Sequence, residues 1–321
     1  MTKIKPFEWL YFDVHQPDGY DFVFSFHIQP FMSHFDVCIF DVFIYRNNRL
    51  FFHNFLLLSP DALQIEQKGN YIQHEANPFF LLERNPHTLK LSIRGEWLNM
   101  DLNMDSDIPL NMPLNVSFPA QSSDLQTFRW QLFMPLAKAK GSLQIKSKKD
   151  NWQKITINGR GYHDGNSGRF NLKKALNSWL WMKIYSKGAL WIAGKIVPRR
   201  GQVQNILVRV QPPDIAHTMQ ADIDLNERSL QINSEFGRQS FELIESYQLD
   251  DLRFLIPAWP KAFESFEKIR EILAALTLDR KALKPLRNVL TNGKYRRRRW
   301  LAKDENGEII EIFGEEMILN G

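Results

Sequence analysis

Tyr162, His163, Asp164 and Asn166 fall within ten residues, Gly159 to Gly168, that also hold four glycines, directly after an alternating strand pattern from Trp152 to Ile157. This set combines donors, acceptors and titratable groups, and glycine lets a backbone turn sharply or approach a ligand closely. Asp164 carries the most chemistry. An acid among Tyr162, His163 and the nearby Trp179 and Trp181 is open to desolvation, which raises a carboxyl pKa and readies it as a general acid near neutrality. The competing reading is an ordinary turn, since Asn, Asp and Gly are turn residues and backbone N–H groups would hold the carboxylate and lower its pKa. His163, adjacent to Asp164, points the opposite way in an extended segment, where it would serve as local support.

Two further positions stand near the N-terminus. In Phe7 to Asp13, strand alternation puts Glu8, Leu10 and Phe12 on one face and Trp9, Tyr11 and Asp13 on the other. Glu8 beside Leu10 and Phe12 needs a basic or hydroxyl partner, or else lines a pocket. His27 shares a face with Val23, Ser25 and Gln29, while Phe22, Phe24, Phe26 and Ile28 fill the opposite one. That mixed face is either exposed or part of a pocket.

These residues must be positioned by strands. Period-two alternation and β-branched or aromatic runs predict strands at about 8–14, 20–29, 35–45, 50–58, 79–84, 87–93 and 96–103. Turn residues separate them, with no helical pattern between, as in antiparallel sheets that close into barrels. The Pro-, Asn- and Ser-rich stretch from Asp105 to Asp124 is the expected boundary. A second series follows at about 126–134, 140–147, 152–158, 179–186, 189–197, 203–211, 218–224, 229–233 and 239–246. The expected domains are thus residues 1–120 and 121–321. Within the second, Phe263, Phe266, Ile269, Leu273 and Leu276 recur at helical spacing, predicting an amphipathic helix over about 261–290, ahead of a terminal hairpin at 294–302 and 309–312. The helix would dock on the second barrel, although its basic partner segment could also rest on a membrane.

Composition narrows the function classes. The 321 residues are 44% hydrophobic and 24% charged, a globular balance, and the 24 Phe and 9 Trp exceed what two cores require, which suggests an apolar pocket. The lone Cys38 cannot form an internal disulfide, so a reducing, cytoplasmic compartment is expected. The N-terminus has no signal-peptide pattern and no stretch is apolar enough for a helical span. The net charge of +5 is partly local to Lys294 and Arg296 to Arg299. Four arginines in a strand would put two outward and two against acids such as Glu308 and Glu311. No CxxC or HExxH spacing, GxSxG elbow, Walker loop or complete dinucleotide fingerprint is present, and aromatic and basic residues are not interleaved for nucleic-acid binding. Metal, nucleotide and nucleic acid are therefore not expected.

Two separated landmarks carry a resemblance. Glu8-Trp9-Leu10-Tyr11-Phe12-Asp13 with Phe24 to Ile28, and Phe128-Arg129-Trp130 with Gly161 to Gly168, resemble the EWWYFD, SFHI and GYHDHNWG motifs of the carotenoid 1,2-hydratase family. This is the hydroxyneurosporene synthase and AttH-like group, whose members have two lipocalin-like β-barrels. The resemblance implies an all-β chain of two such barrels enclosing an apolar substrate without a cofactor. It also implies that Asp164 protonates an alkene of a polyene or isoprenoid, leading to hydration or cyclisation, with Tyr162 and His163 as flanking support and Asn166 matching the motif's Asn. Trp9, Tyr11, Trp179 and Trp181 are candidates to face a carbocation. Gly165 and Ser167 depart from the motif's His and Trp. The alternatives are a pericyclase of the same fold, needing shape and no acid, and a carrier that binds an apolar ligand without reaction.

Overall fold

The computed structural model describes residues 7–29, 38–66, 70–108, 112–119, 125–146, 151–251 and 293–319. The helix expected over about 261–290 lies outside them. The described residues are almost entirely β, in two antiparallel sheets of twelve and nine strands, as the alternation predicts. Each sheet has the same closing device. The first runs β4-β3-β2-β1-β12-β11-β9-β8-β7-β6-β5, with β7 at Phe79–Arg84, β8 at Thr88–Arg94, β9 at Leu98–Asp105, and β10 (Met112–Pro119) also on β11. Its end strands, β4 (Arg49–Leu58) and β5 (Leu63–Glu66), are consecutive in the chain, joined through a 3-10 turn at Pro60–Ala62. The second runs β16-β15-β14-β13-β21-β20-β19-β18-β17, with β14 at Ala189–Pro198, β15 at Gln204–Gln211, β18 at Ser229–Ser234, β19 at Gly237–Asp251 and β21 at Ile309–Leu319, and its end strands β16 (Asp214–Thr218) and β17 (Asp222–Leu225) are likewise consecutive. A short link between opposite edges obliges a sheet to curl, which gives the barrel-like form of lipocalin-type domains.

Each curl wraps its own core. In the first, alternate residues of β1 (Phe7–His15), β2 (Tyr20–Gln29) and β3 (Cys38–Arg46) point inward: Leu10, Phe12, Phe22, Phe24, Phe26, Phe40 and Val42 are buried together with Leu102, Met104 and Ile157. In the second, Met182, Ile184, Trp191, Leu207, Phe241 and Trp300 form the corresponding cluster. The aromatic surplus seen in the composition is in large part this packing, with the Phe26 and Phe80 ring centres 4.6 Å apart.

The domain boundary falls elsewhere than expected. The two compact units are residues 1–117 with 125–170, and 118–124 with 171–321. β11 (Leu125–Lys146) and β12 (Trp152–Gly168), expected in the second barrel, are hydrogen-bonded into the first sheet, where β12 pairs with both β1 and β11. Backbone pairing across the sheet decides membership, and the proline-rich stretch at 105–124 does not interrupt it.

Three local expectations also change. The strand predicted at 218–224 is two strands on opposite edges of the second sheet. The short β5 and β6 (Tyr71–His74) carry too few residues for alternation to register. The arginine run lies in β20 (Gly293–Lys303), but its acidic partners are not Glu308 or Glu311. Arg297 bonds Asp250 Oδ2 at 3.0 Å and Glu315 Oε1 at 2.6 Å, and Arg296 lies 4.0 Å from Glu316. The hairpin register sets Arg297 opposite Glu315, whereas Glu311 faces Leu301.

Candidate functional site

The stretch Gly159 to Gly168 is strand, not turn, since β12 runs unbroken from Trp152 to Gly168. Its glycines answer to close contacts. A Cβ on Gly161 would lie 2.6 Å from the Met104 Cε, and one on Gly165 would lie 2.8 Å from the Phe133 ring. Because the segment is extended, neighbouring side chains part to opposite faces. Tyr162, Asp164 and Asn166 take one face and His163 the other.

On the first face Asp164 is 3% exposed and its carboxylate is held by three side chains. Oδ2 accepts from Trp130 Nε1 at 2.7 Å and from the Tyr162 hydroxyl at 2.7 Å, while Oδ1 accepts from Asn166 Nδ2 at 3.1 Å. Asn166 and Tyr162 reach it because residues two apart on a strand share a face. Trp130 reaches it from β11, where it stands opposite Asn166. None of the backbone N–H bonds imagined for a turn is needed, because those groups are engaged in the ladder. Of the three donor atoms, only the Tyr162 hydroxyl can also accept a hydrogen bond, as the indole and amide nitrogens only donate.

The face continues across β1. Tyr11 is opposite Asp164 and Trp9 opposite Asn166. Tyr11 meets Tyr162 edge-on with ring centres 6.1 Å apart. Trp9 stacks on Phe7 at 5.4 Å and stands 6.2 Å from both His27 and Phe128. Further across, His27 Nε2 lies 3.5 Å from Asp41 Oδ2 and His53 Nε2 lies 3.7 Å from Asp41 Oδ1. The two imidazoles hold the Asp41 carboxyl well below the usual range, against the opposing effect of its burial.

The opposite face belongs to the barrel interior. His163 stacks between Phe12, ring centres 4.2 Å apart, and Phe133, 4.8 Å. Its Nδ1 lies 2.8 Å from the Tyr11 carbonyl oxygen, which can only accept. Nε2 therefore carries the lone pair and accepts from Arg84 Nη1 at 2.7 Å. Burial, and then the Arg84 charge, hold its pKa well below 6.5, so His163 is neutral. Arg84 in turn rests 3.4 Å over the Phe133 ring and donates to Asn70 Oδ1. Burial lowers its pKa to about 10, opposed by the Glu8 charge. Arg84 and Arg129 supply the basic charge that Glu8 called for. Glu8 is exposed near the start of β1, yet surrounding protein pushes its pKa up while the two arginines draw it down.

The structure thus brings Asp164, Tyr162, Asn166, Tyr11 and Trp9 together and sets His163 and Glu8 apart from them. Trp179 and Trp181 lie in β13 (Leu176–Ser186) of the other unit, where Trp181 stands 6.3 Å from Phe313 and 5.7 Å from the Lys183 ammonium. The candidates missed were Trp130, Arg84, Asp41 and His53. Trp130 carries a local signal, since Phe128-Arg129-Trp130 belongs to the second of the two sequence landmarks; the others have none. Among the described residues, no group of three His, Cys, Asp or Glu side chains is arranged to hold a metal ion.

No family model matches the chain, and no curated protein matches it in sequence. Solved structures do. A candidate AttH from Nitrosomonas europaea superposes with a TM-score of 0.57 at 10% identity, over 98% of this chain and 92% of that one. CghA solved with Sch210972 gives 0.58 at 11% identity, over 98% and 89%, and CghA alone gives 0.57 at 10%, over 97% and 87%. The chain shares the AttH and CghA fold. The AttH-like resemblance read from two motifs therefore extends to the whole architecture, including β11 and β12, which carry Trp130 and Asp164. Likeness at this identity speaks for fold, and chemistry must come from the site itself.

Proposed function

We propose that this protein is an enzyme acting on a hydrophobic polyene or isoprenoid, with Asp164 as the general acid that protonates an alkene to start hydration or cyclisation. The observation that supports the reading is the asymmetric hold on the Asp164 carboxyl group. Oδ2 accepts two short hydrogen bonds, from Trp130 and Tyr162, and Oδ1 accepts a longer one from Asn166. A proton on Oδ1 is then the one delivered. As it leaves, the growing negative charge spreads to Oδ2, where two donors already point. Preorganised donors aimed at developing charge are the strongest device a water-poor site has, and hydrogen bonds to an ion are about twice as strong as neutral ones.

The remaining residues fit the other half of the step. Protonation leaves a carbocation, and the aromatic faces of Trp9 and Tyr11 on the same sheet face can stabilise it by cation–π attraction. Asn166 would hold Oδ1 in place until transfer. His163, neutral and inside the barrel, takes no part in the proton step and stiffens the strand that carries Asp164.

Substituting Asp164→Asn tests this. The variant keeps a carbonyl oxygen for Trp130 and Tyr162, so its circular dichroism should match wild type, while turnover of the polyene should fall by about 10²–10⁴-fold. Unchanged turnover would instead fit a pericyclase, which needs shape alone, and unchanged ligand affinity with no turnover in either protein would fit a carrier.

A further inference from the structure

Asp164 is not the only acid–base centre on its sheet face. Residues directly opposite one another on paired strands point the same way. The register therefore defines one row, Asp164, Tyr11, Ser25 and Asp41, across β12, β1, β2 and β3. Parallel rows place Asn166, Trp9 and His27 on one side of it, and Tyr162, Asp13, Val23, Phe43 and His53 on the other. Two strand spacings, about 10 Å along the sheet, separate the strand of Asp164 from that of His27, and three, about 14 Å, separate it from that of Asp41. Tyr11 and Trp9 occupy the interval.

The Asp41 cluster is built differently from the Asp164 cluster. One carboxylate sits between two imidazoles, 3.5 Å from His27 Nε2 and 3.7 Å from His53 Nε2. His53 is packed on the Phe43 ring with centres 4.2 Å apart and its side chain is 6% exposed, whereas the His27 and Asp41 side chains are 20% and 22% exposed. The accessible imidazole is thus the one beside Trp9. With Nε2 turned to Asp41, the other nitrogen, Nδ1, is the basic one, which is how a carboxylate orients a histidine for proton abstraction.

Resting on the reading of Asp164 as acid, we propose that His27 is the proton acceptor that completes the reaction, with Asp41 and His53 as positioning residues. In the first step the Asp164 O–H bond breaks and a C–H bond forms at the alkene, leaving a cation. In cyclisation, each ring closure moves the cation along the chain away from Asp164, and the last C–H bond beside it breaks, its electron pair forming the new alkene and its proton passing to His27 Nδ1. His27 then releases the proton to solvent, from which Asp164 is reprotonated. The separation suits an extended isoprenoid whose two reacting ends lie apart.

Wild type, His27→Ala and Asp41→Asn are compared on geranylgeraniol, squalene and lycopene with product analysis by mass spectrometry. His27→Ala should lose kcat by about 10²-fold or more with little change in KM, and added imidazole should restore at least tenfold, a recovery no structural role would produce. A second measurement needs no turnover. Diethyl pyrocarbonate modification of His27, followed by peptide mass spectrometry, should slow at least fivefold in saturating geranylgeraniol, both in wild type and in Asp164→Asn. Wild-type kcat in His27→Ala, absence of imidazole rescue, or unchanged His27 modification with the probe present would each overturn the proposal. Failure of the acid reading shows separately, as retained turnover in Asp164→Asn while His27 stays protected.

Discussion

Replacing Tyr162 by Phe removes one hydroxyl from a residue that is fully buried and leaves the ring in place. That hydroxyl donates to Asp164 Oδ2 at 2.7 Å. Its worth depends on what it faces. A hydrogen bond to a neutral carboxyl contributes about 0.5–1.5 kcal/mol, and one to a carboxylate about 1.5–3 kcal/mol. If Asp164 is a protonated acid at rest and an anion after transfer, the difference of about 1–2 kcal/mol falls on the barrier, a loss in kcat of about 5–30-fold. The folded state would lose only the smaller, neutral-bond amount. If Asp164 were ionised at rest, the larger amount would fall on stability and the barrier would gain nothing. Turnover of a converted polyene and the denaturation midpoint, followed by near-ultraviolet circular dichroism, separate the two cases. A Tyr162→Phe enzyme with kcat within twofold of wild type and a stability loss near 3 kcal/mol would refute Asp164 as the acid.

Two other perturbations follow from the barrel interior. His163 is neutral in the folded protein because its pKa lies well below 6.5, so between those values the unfolded chain binds a proton that the folded chain refuses. Its contribution is complete above about pH 7.5 and declines as pH falls through 6.5, by at most about 1.4 kcal/mol per pH unit. His163→Gln, which can still donate to the Tyr11 carbonyl and accept from Arg84, should shed that part of the slope in urea titrations at pH 5.5 and 7.5; parallel slopes would refute the assignment. Gly165→Ala should destabilise the protein by about 1–3 kcal/mol, because the new methyl would lie 2.8 Å from a Phe133 ring already held between Arg84 and His163. A thermal midpoint equal to wild type would show that the ring yields freely. A histidine here, as in the related motif, would meet the same crowding.

Which side chains share a face was legible from alternation alone. Glu8 parts from Trp9, and His163 from Asp164, because successive strand residues point to opposite sides whatever the rest of the chain does. The two-barrel architecture was also readable, since each short amphipathic strand demands a partner and the order of the motifs matched a known arrangement. The nature of the stretch from Gly159 to Gly168 was not readable, for glycine suits both a turn and a strand crowded from its sides. Met104, Phe133 and Phe7, all distant in sequence, decide that it is a strand. Likewise Trp130 and Asp164 are 34 residues apart and Arg84 and His163 are 79 apart, and no local pattern announces such pairs. The sequence by itself determined the faces and most of the strands, and it singled out Asp164 as a candidate acid. The tertiary structure alone decided that acid's donors, the neutral state of the histidine beside it and the joining of His27, Asp41 and His53, because strand register is set by the packing of the whole sheet.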